Sequence, residues 1–99
     1  MMIERLTKSP RQGKRYRAVF SDGKNIDFGS DVATTFVDGA SEKTRQNYLK
    51  RHTANTREAY LIKNKVASPA LLAADLLWGK SRSLAKNVME LNRRLSKNQ

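Results

Sequence analysis

The chain has 99 residues, with twenty Lys/Arg against nine Asp/Glu, a formal net charge of +11. That is one domain's worth of sequence. It holds no Cys and one His, which excludes disulfides, thiolate metal sites and a His-rich metal centre. The apolar fraction of 38% is low for a globular domain but too high for a chain without a core. The composition and a pI near 10.5 describe a non-enzymatic protein whose partner carries negative charge.

The charge is unevenly spread. Residues 1–40 are nearly balanced, whereas residues 41–67 carry seven Lys/Arg against two Asp/Glu and residues 68–99 six against two. No apolar run follows Met1-Met2-Ile3-Glu4-Arg5, so no secretory signal is read there. The longest nearly apolar stretch, Pro69 to Trp78, is too short to cross a bilayer. A soluble, intracellular protein without membrane partners is the expectation.

Residues 1–13, with Ser9-Pro10 and Gly13 and no sustained apolar period, read as a basic flexible arm. Residues 14–28 read as a β-hairpin. Tyr16, Ala18 and Phe20 share one face of the first strand, and Ile26 and Phe28 one face of the second. A two-residue Asp22-Gly23 loop would pair Ala18 with Asp27 and mix the faces. A three-residue loop with Gly23 left-handed pairs Ala18 with Ile26 and Tyr16 with Phe28, and this register is preferred. The outer face then sets Arg15 and Arg17 near Asp27. Gly29-Ser30-Asp31 ends the hairpin, and Ala33 to Val37 reads as a short third strand or an ordered loop.

Ser41 is a suitable N-cap for a helix from Glu42 to about His52. Tyr48, Leu49 and His52 form its thin apolar arc, and Lys43, Asn47, Lys50 and Arg51 the opposite, cationic one. Asn55 and Glu58 open a second helix to about Val66. Ser68-Pro69 starts a third, Ala70–Trp78, apolar nearly all round and so the buried centre, with Gly79 as a left-handed cap. A last helix, about Ser83–Leu95, has the stripe Leu84, Val88, Leu91 and Leu95, with Lys86, Asn87, Glu90, Asn92 and Arg93 on its other face. The expected fold class is α+β, a hairpin with or without a third strand on three or four helices. One domain spans residues 14–95, and residues 96–99 form a frayed tail.

Tyr16-Arg17-Ala18-Val19-Phe20, Asp22-Gly23, Phe28-Gly29, Arg45-x-x-Tyr48-x-x-Arg51-His52 and Leu76-Leu77-Trp78-Gly79-Lys80 followed by Ser83 occur in that order. Together they resemble the small, basic, uncharacterised proteins of large nucleocytoplasmic DNA viruses. The resemblance implies a viral product, carried in the virion, and supplies no mechanism. The family's acidic, His-containing stretch before the first helix is replaced here by Thr34-Thr35-Phe36-Val37-Asp38-Gly39, which lacks the His, so the resemblance carries no metal or acid–base role over to it.

The residues expected to bind nucleic acid, DNA ahead of RNA, are Lys43, Arg45, Lys50 and Arg51, joined by the Arg15/Arg17 ribbon. Lys and Arg neutralise phosphates and release condensed counterions. No groove-reading motif is evident, so binding is expected to follow charge and shape. The other reading is a minor capsid or scaffold component, monomeric or oligomeric, that docks on acidic virion proteins. Tyr16, Tyr48, Tyr60 and Trp78 offer faces for base stacking, but core packing is the preferred role of such aromatics. The single His52 is placed at the last carbonyls of its helix. No phosphate loop, calcium loop, cofactor motif or catalytic constellation is present.

Overall fold

Gly23 sets the register of the sheet. Its φ of 88° is left-handed, and it closes the three-residue turn in which the Phe20 amide donates to the Lys24 carbonyl at 2.9 Å. Ala18 therefore faces Ile26, and Tyr16 faces Phe28, as the apolar alternation requires. The structure, a computed structural model, describes residues 2–97. Strands β2 (Lys14–Phe20) and β3 (Asn25–Ser30) form this hairpin.

The third strand precedes the hairpin instead of following it. Ile3–Lys8 is strand β1, antiparallel to β2, in the sheet order β1-β2-β3. The flexible arm expected over residues 1–13 is thus, over Ile3–Lys8, an edge of the sheet; Met1 lies outside the described residues. A register shift between Ile3 and Arg5 brings both Ile3 and Leu6 onto the covered face. That shift hides the period-two pattern from the sequence. Ala33 to Val37 forms no strand; Phe36–Asp38 is one turn of 3-10 helix.

Helix α1 is Glu42–Thr53, and Ser41 accepts from the Thr44 amide as its cap. Helix α2 is Thr56–Lys63, capped by Asn55. It stops short of Val66 because Lys65 turns left-handed, at φ 53°. Helix α3, Pro69–Leu72, begins under the Ser68 cap and passes into a π-turn over Ala73–Leu77, in which the Trp78 amide reaches back to the Ala73 carbonyl at 3.0 Å. Helix α4 is Leu84–Lys97. Of the tail expected to fray, Ser96 and Lys97 are helical, and residues 98–99 lie outside the described residues.

The fold is α+β. α3 and the π-turn are the buried centre, between the sheet and α4. Phe20, Phe28, Leu71, Leu72 and Leu76 are fully buried there, joined by Leu91 and Leu95 of the expected stripe. Two asparagines assigned to the polar face of α4 point inward instead. Asn92 accepts from the Ile3 amide at 2.8 Å and donates to the Ile3 carbonyl at 2.9 Å. Its amide thus takes the place of a neighbouring strand along β1.

Arg15 reaches from β2 to Asp38 of the 3-10 turn, with two hydrogen bonds of 2.5 and 2.6 Å. Asp38 also accepts from the Thr35 amide and hydroxyl. First the Arg15 hydrogen bonds, then those from Thr35, hold the Asp38 carboxyl well below the usual carboxylate range against the cost of burial. A lowered folded-state pKa gives stability that is complete above the ordinary Asp value, about 3.9, and lost as pH falls below it towards the folded value. Asp38→Asn is expected to lower stability by about 1.5–2 kcal/mol near neutral pH. The difference from the native protein should shrink as urea titrations are carried below about pH 3.

Candidate nucleic-acid interface

The sequence of α1 divides the helix into an anchored face and a charged one. At 100° per residue Arg45 falls beside Tyr48, Leu49 and His52, on the inward arc. Its Nε donates to the carbonyls of Trp78 and Gly79, each at 3.0 Å, and Nη1 to Glu42 at 3.0 Å. Those carbonyls follow the π-turn, where the backbone leaves helical geometry and has no α-helical donor for them. Arg45 is therefore placed as a structural clamp, turned away from the exposed cations with which it was grouped. The side chain is only 12% exposed.

Tyr48 stacks on Trp78, ring centres 4.4 Å apart and planes 10° apart, and His52 lies on Tyr48 at 4.1 Å. Burial is the main reason the Tyr48 phenol sits above its ordinary pKa. His52 does not meet helix-end carbonyls through its ring; its Nδ1 lies 3.1 Å from Glu58 Oε2 at the start of α2. The two segments that looked most distinctive in the sequence, Arg45 to His52 and Leu76 to Lys80, are thus two sides of one joint. Tyr48 and Trp78 are packed against each other, while Tyr60 is 62% exposed.

The outward face of α1 carries Lys43, Lys50 and Arg51, all exposed. Glu42, the one acid of this helix, is turned to Arg45 and to Gln46, which donates to it at 2.8 Å. The Gln46 bond, then Arg45, holds its carboxyl below the ordinary range. Lys43, Lys50 and Arg51 accordingly have no acidic partner among the described residues; Arg51 leans over the Tyr48 ring, 6.0 Å from its centre.

The hairpin arginines differ. Arg15 is held by Asp38, and Arg17 by Asp27 at 2.9 and 3.0 Å, with Ser9 bonding the same carboxylate. The Arg17 bonds keep the Asp27 carboxyl lowered. These acids answer the charge of the expected ribbon, so Arg17 ties β2 to β3 and Arg15 ties the hairpin to the 3-10 turn instead of extending the α1 face. Arg82, which sequence reasoning passed over, lies 4.1 Å from the Phe36 ring centre and donates to the Phe36 and Ala40 carbonyls.

A groove of about 560 Å³ runs beside α1, with Leu49, Ile62, Ala74 and Leu91 as its apolar lining and α2, the π-turn and α4 around it. It adjoins a smaller cleft of about 220 Å³ lined by Lys63, Lys65, Arg94 and Lys97. No helix among the described residues is long and apolar enough to cross a membrane.

Fold and surface together define a small α+β domain built around a clamped, cation-bearing helix. Residues 4–52, from β1 to the end of the Arg45–His52 segment, match a family of unknown function, DUF5754. The chain is 34% identical over 82 residues to the uncharacterized protein L851 of Acanthamoeba polyphaga mimivirus, an alignment that covers 75% of this chain and 79% of that protein. It belongs to the family of that viral protein. No solved structure matches it.

Proposed function

We propose that the chain is a non-enzymatic nucleic-acid-binding protein of a large DNA virus, with Lys43, Lys50 and Arg51 making phosphate contacts. One observation carries this reading: α1 is fixed on its inner side by Arg45 and Tyr48 and presents on its outer side three exposed cations without acidic partners among the described residues. A helix held in this way offers its charges without ordering a loop, and a net charge of +11 draws a polyanion towards it. Phosphate contacts position a protein on nucleic acid without reading sequence, so binding should be largely indifferent to base order.

Fluorescence anisotropy with labelled duplex DNA across a salt series tests this. The logarithm of affinity is expected to fall linearly with log salt, at a slope of about −3 for three neutralised phosphates. Lys43→Ala/Lys50→Ala/Arg51→Ala should flatten that slope by most of its value while leaving the thermal midpoint nearly unchanged. An absence of binding at about 50 mM salt, where such contacts are strong, overturns the proposal.

A further inference from the structure

We infer that the groove beside α2 and α4 is a docking site for an acidic amphipathic helix of a partner protein. Two departures from regular backbone meet at it. Lys65 occupies the left-handed position of a Schellman turn, with the Val66 amide donating to the Leu61 carbonyl at 2.9 Å and its own amide to Ile62 at 3.3 Å. Glycine is the usual residue there. Asp75 lies in the π-turn, and Lys65 Nζ donates to its Oδ2 at 2.6 Å. Strained backbone and π-turns concentrate where a protein binds something. Here they fix one ion pair where the groove meets the Lys63–Lys97 cleft.

The lining fits a particular chemistry. Leu49, Ile62, Ala74 and Leu91 give it an apolar middle, and Lys80 and Lys86 at its rim have no acidic partner among the described residues. Its acids are answered: Asp75 by Lys65, and Glu90 by Arg93 and Arg94 at 2.6 and 3.1 Å. Lys86, Glu90 and Arg94 line it from successive turns of α4. At 1.5 Å per residue this wall is about 12 Å long, or about two turns of a helix. That length suits a helix that inserts apolar residues at i, i+3/i+4 and i+7 and sets carboxylates against the flanking lysines. The apolar middle distinguishes this surface from the outer face of α1, where Lys43 and Lys50 are exposed and Arg51 lies 6.0 Å from the Tyr48 ring centre.

The test uses a fluorescein-labelled synthetic helix with Leu at i, i+3, i+4 and i+7 and Glu on its flanks, titrated with the full chain at physiological salt. Two sister peptides replace every Leu by Ser or every Glu by Lys. The acidic amphipathic peptide is expected to bind about tenfold more tightly than either sister. Lys80→Glu/Lys86→Glu should weaken it roughly fivefold or more. Lys43→Glu/Arg51→Glu, which changes residues outside the groove, should leave it within about twofold. Equal binding of the Ser peptide would reduce the site to charge alone and overturn the inference. So would equal losses in the two double variants, displacement of the peptide by saturating duplex DNA, or no binding. Apart from the displacement arm, these results do not depend on whether α1 binds DNA, which the duplex titration reads separately.

Discussion

Gly79→Ala is expected to cost about 3 kcal/mol or more and to lower the thermal midpoint by about 12 °C or more. The reason is space, not conformation. Gly79 is not left-handed, contrary to the cap expected of it; the positive-φ glycines are Gly13, Gly23, Gly29 and Gly39. A Cβ added at Gly79 would stand 2.3 Å from the Asp75 carbonyl oxygen and 2.6 Å from Asn87 Cγ. The first of these is backbone in the π-turn and cannot rotate away. Moving it disturbs the Trp78 and Gly79 carbonyls that hold Arg45, so the loss should spread to the docking of α1. Against a total stability of about 5–15 kcal/mol for a domain of this size, that is a large fraction. Thermal unfolding followed by circular dichroism checks it; a midpoint within about 3 °C of the native protein would show that the corner relaxes at little cost.

Asn87→Leu is expected to cost about 3 kcal/mol, although it puts an apolar side chain of similar size in a buried place. Asn87 is 5% exposed. Its amide nitrogen donates to the Leu76 carbonyl at 2.8 Å and the Ser81 carbonyl at 2.7 Å, and its oxygen accepts from the Ser81 amide at 3.0 Å. Leucine leaves those backbone groups without partners where water does not readily reach them. Urea denaturation should show a lower midpoint at an unchanged slope. Because Asn87 and Gly79 share one contact, the double variant should lose less than the two single losses added.

Asn87 also shows where sequence reading stops. A polar residue on the amphipathic helix α4 was assigned to its wet face, and nothing local says that the π-turn eleven residues earlier will bring a free carbonyl to it. Asn92 and Arg45 went astray in the same way, each answering backbone groups far off in sequence. Arg45 was the more recoverable of the two, because its angular position already set it among Tyr48, Leu49 and His52. Features fixed by neighbours a few residues away were legible. They include the caps Ser41, Asn55 and Ser68, the hairpin register set by Gly23, and the outward placement of Lys43, Lys50 and Arg51. The Arg17–Asp27 pair followed from that register. Arg15–Asp38 did not, since it depends on where the 3-10 turn packs. β1 was missed because its irregular pairing spaces Ile3 and Leu6 by three, where alternation asks for two.

The Asn92 bridge to Ile3 bears on the order in which the protein can be completed. It joins residues 89 apart in the sequence. Synthesis proceeds from the N-terminus at about 5–20 residues per second. β1 therefore leaves the ribosome several seconds before the helix that seals it, at those rates. The hairpin and β1 can pair in that interval, but their outer edge stays open and their apolar face uncovered. A nascent chain stalled before α4 should accordingly be recognised by chaperones and cut readily within β1. Protection there would arrive abruptly once α4 is free to fold, as a late step of closure rather than gradual growth along the chain.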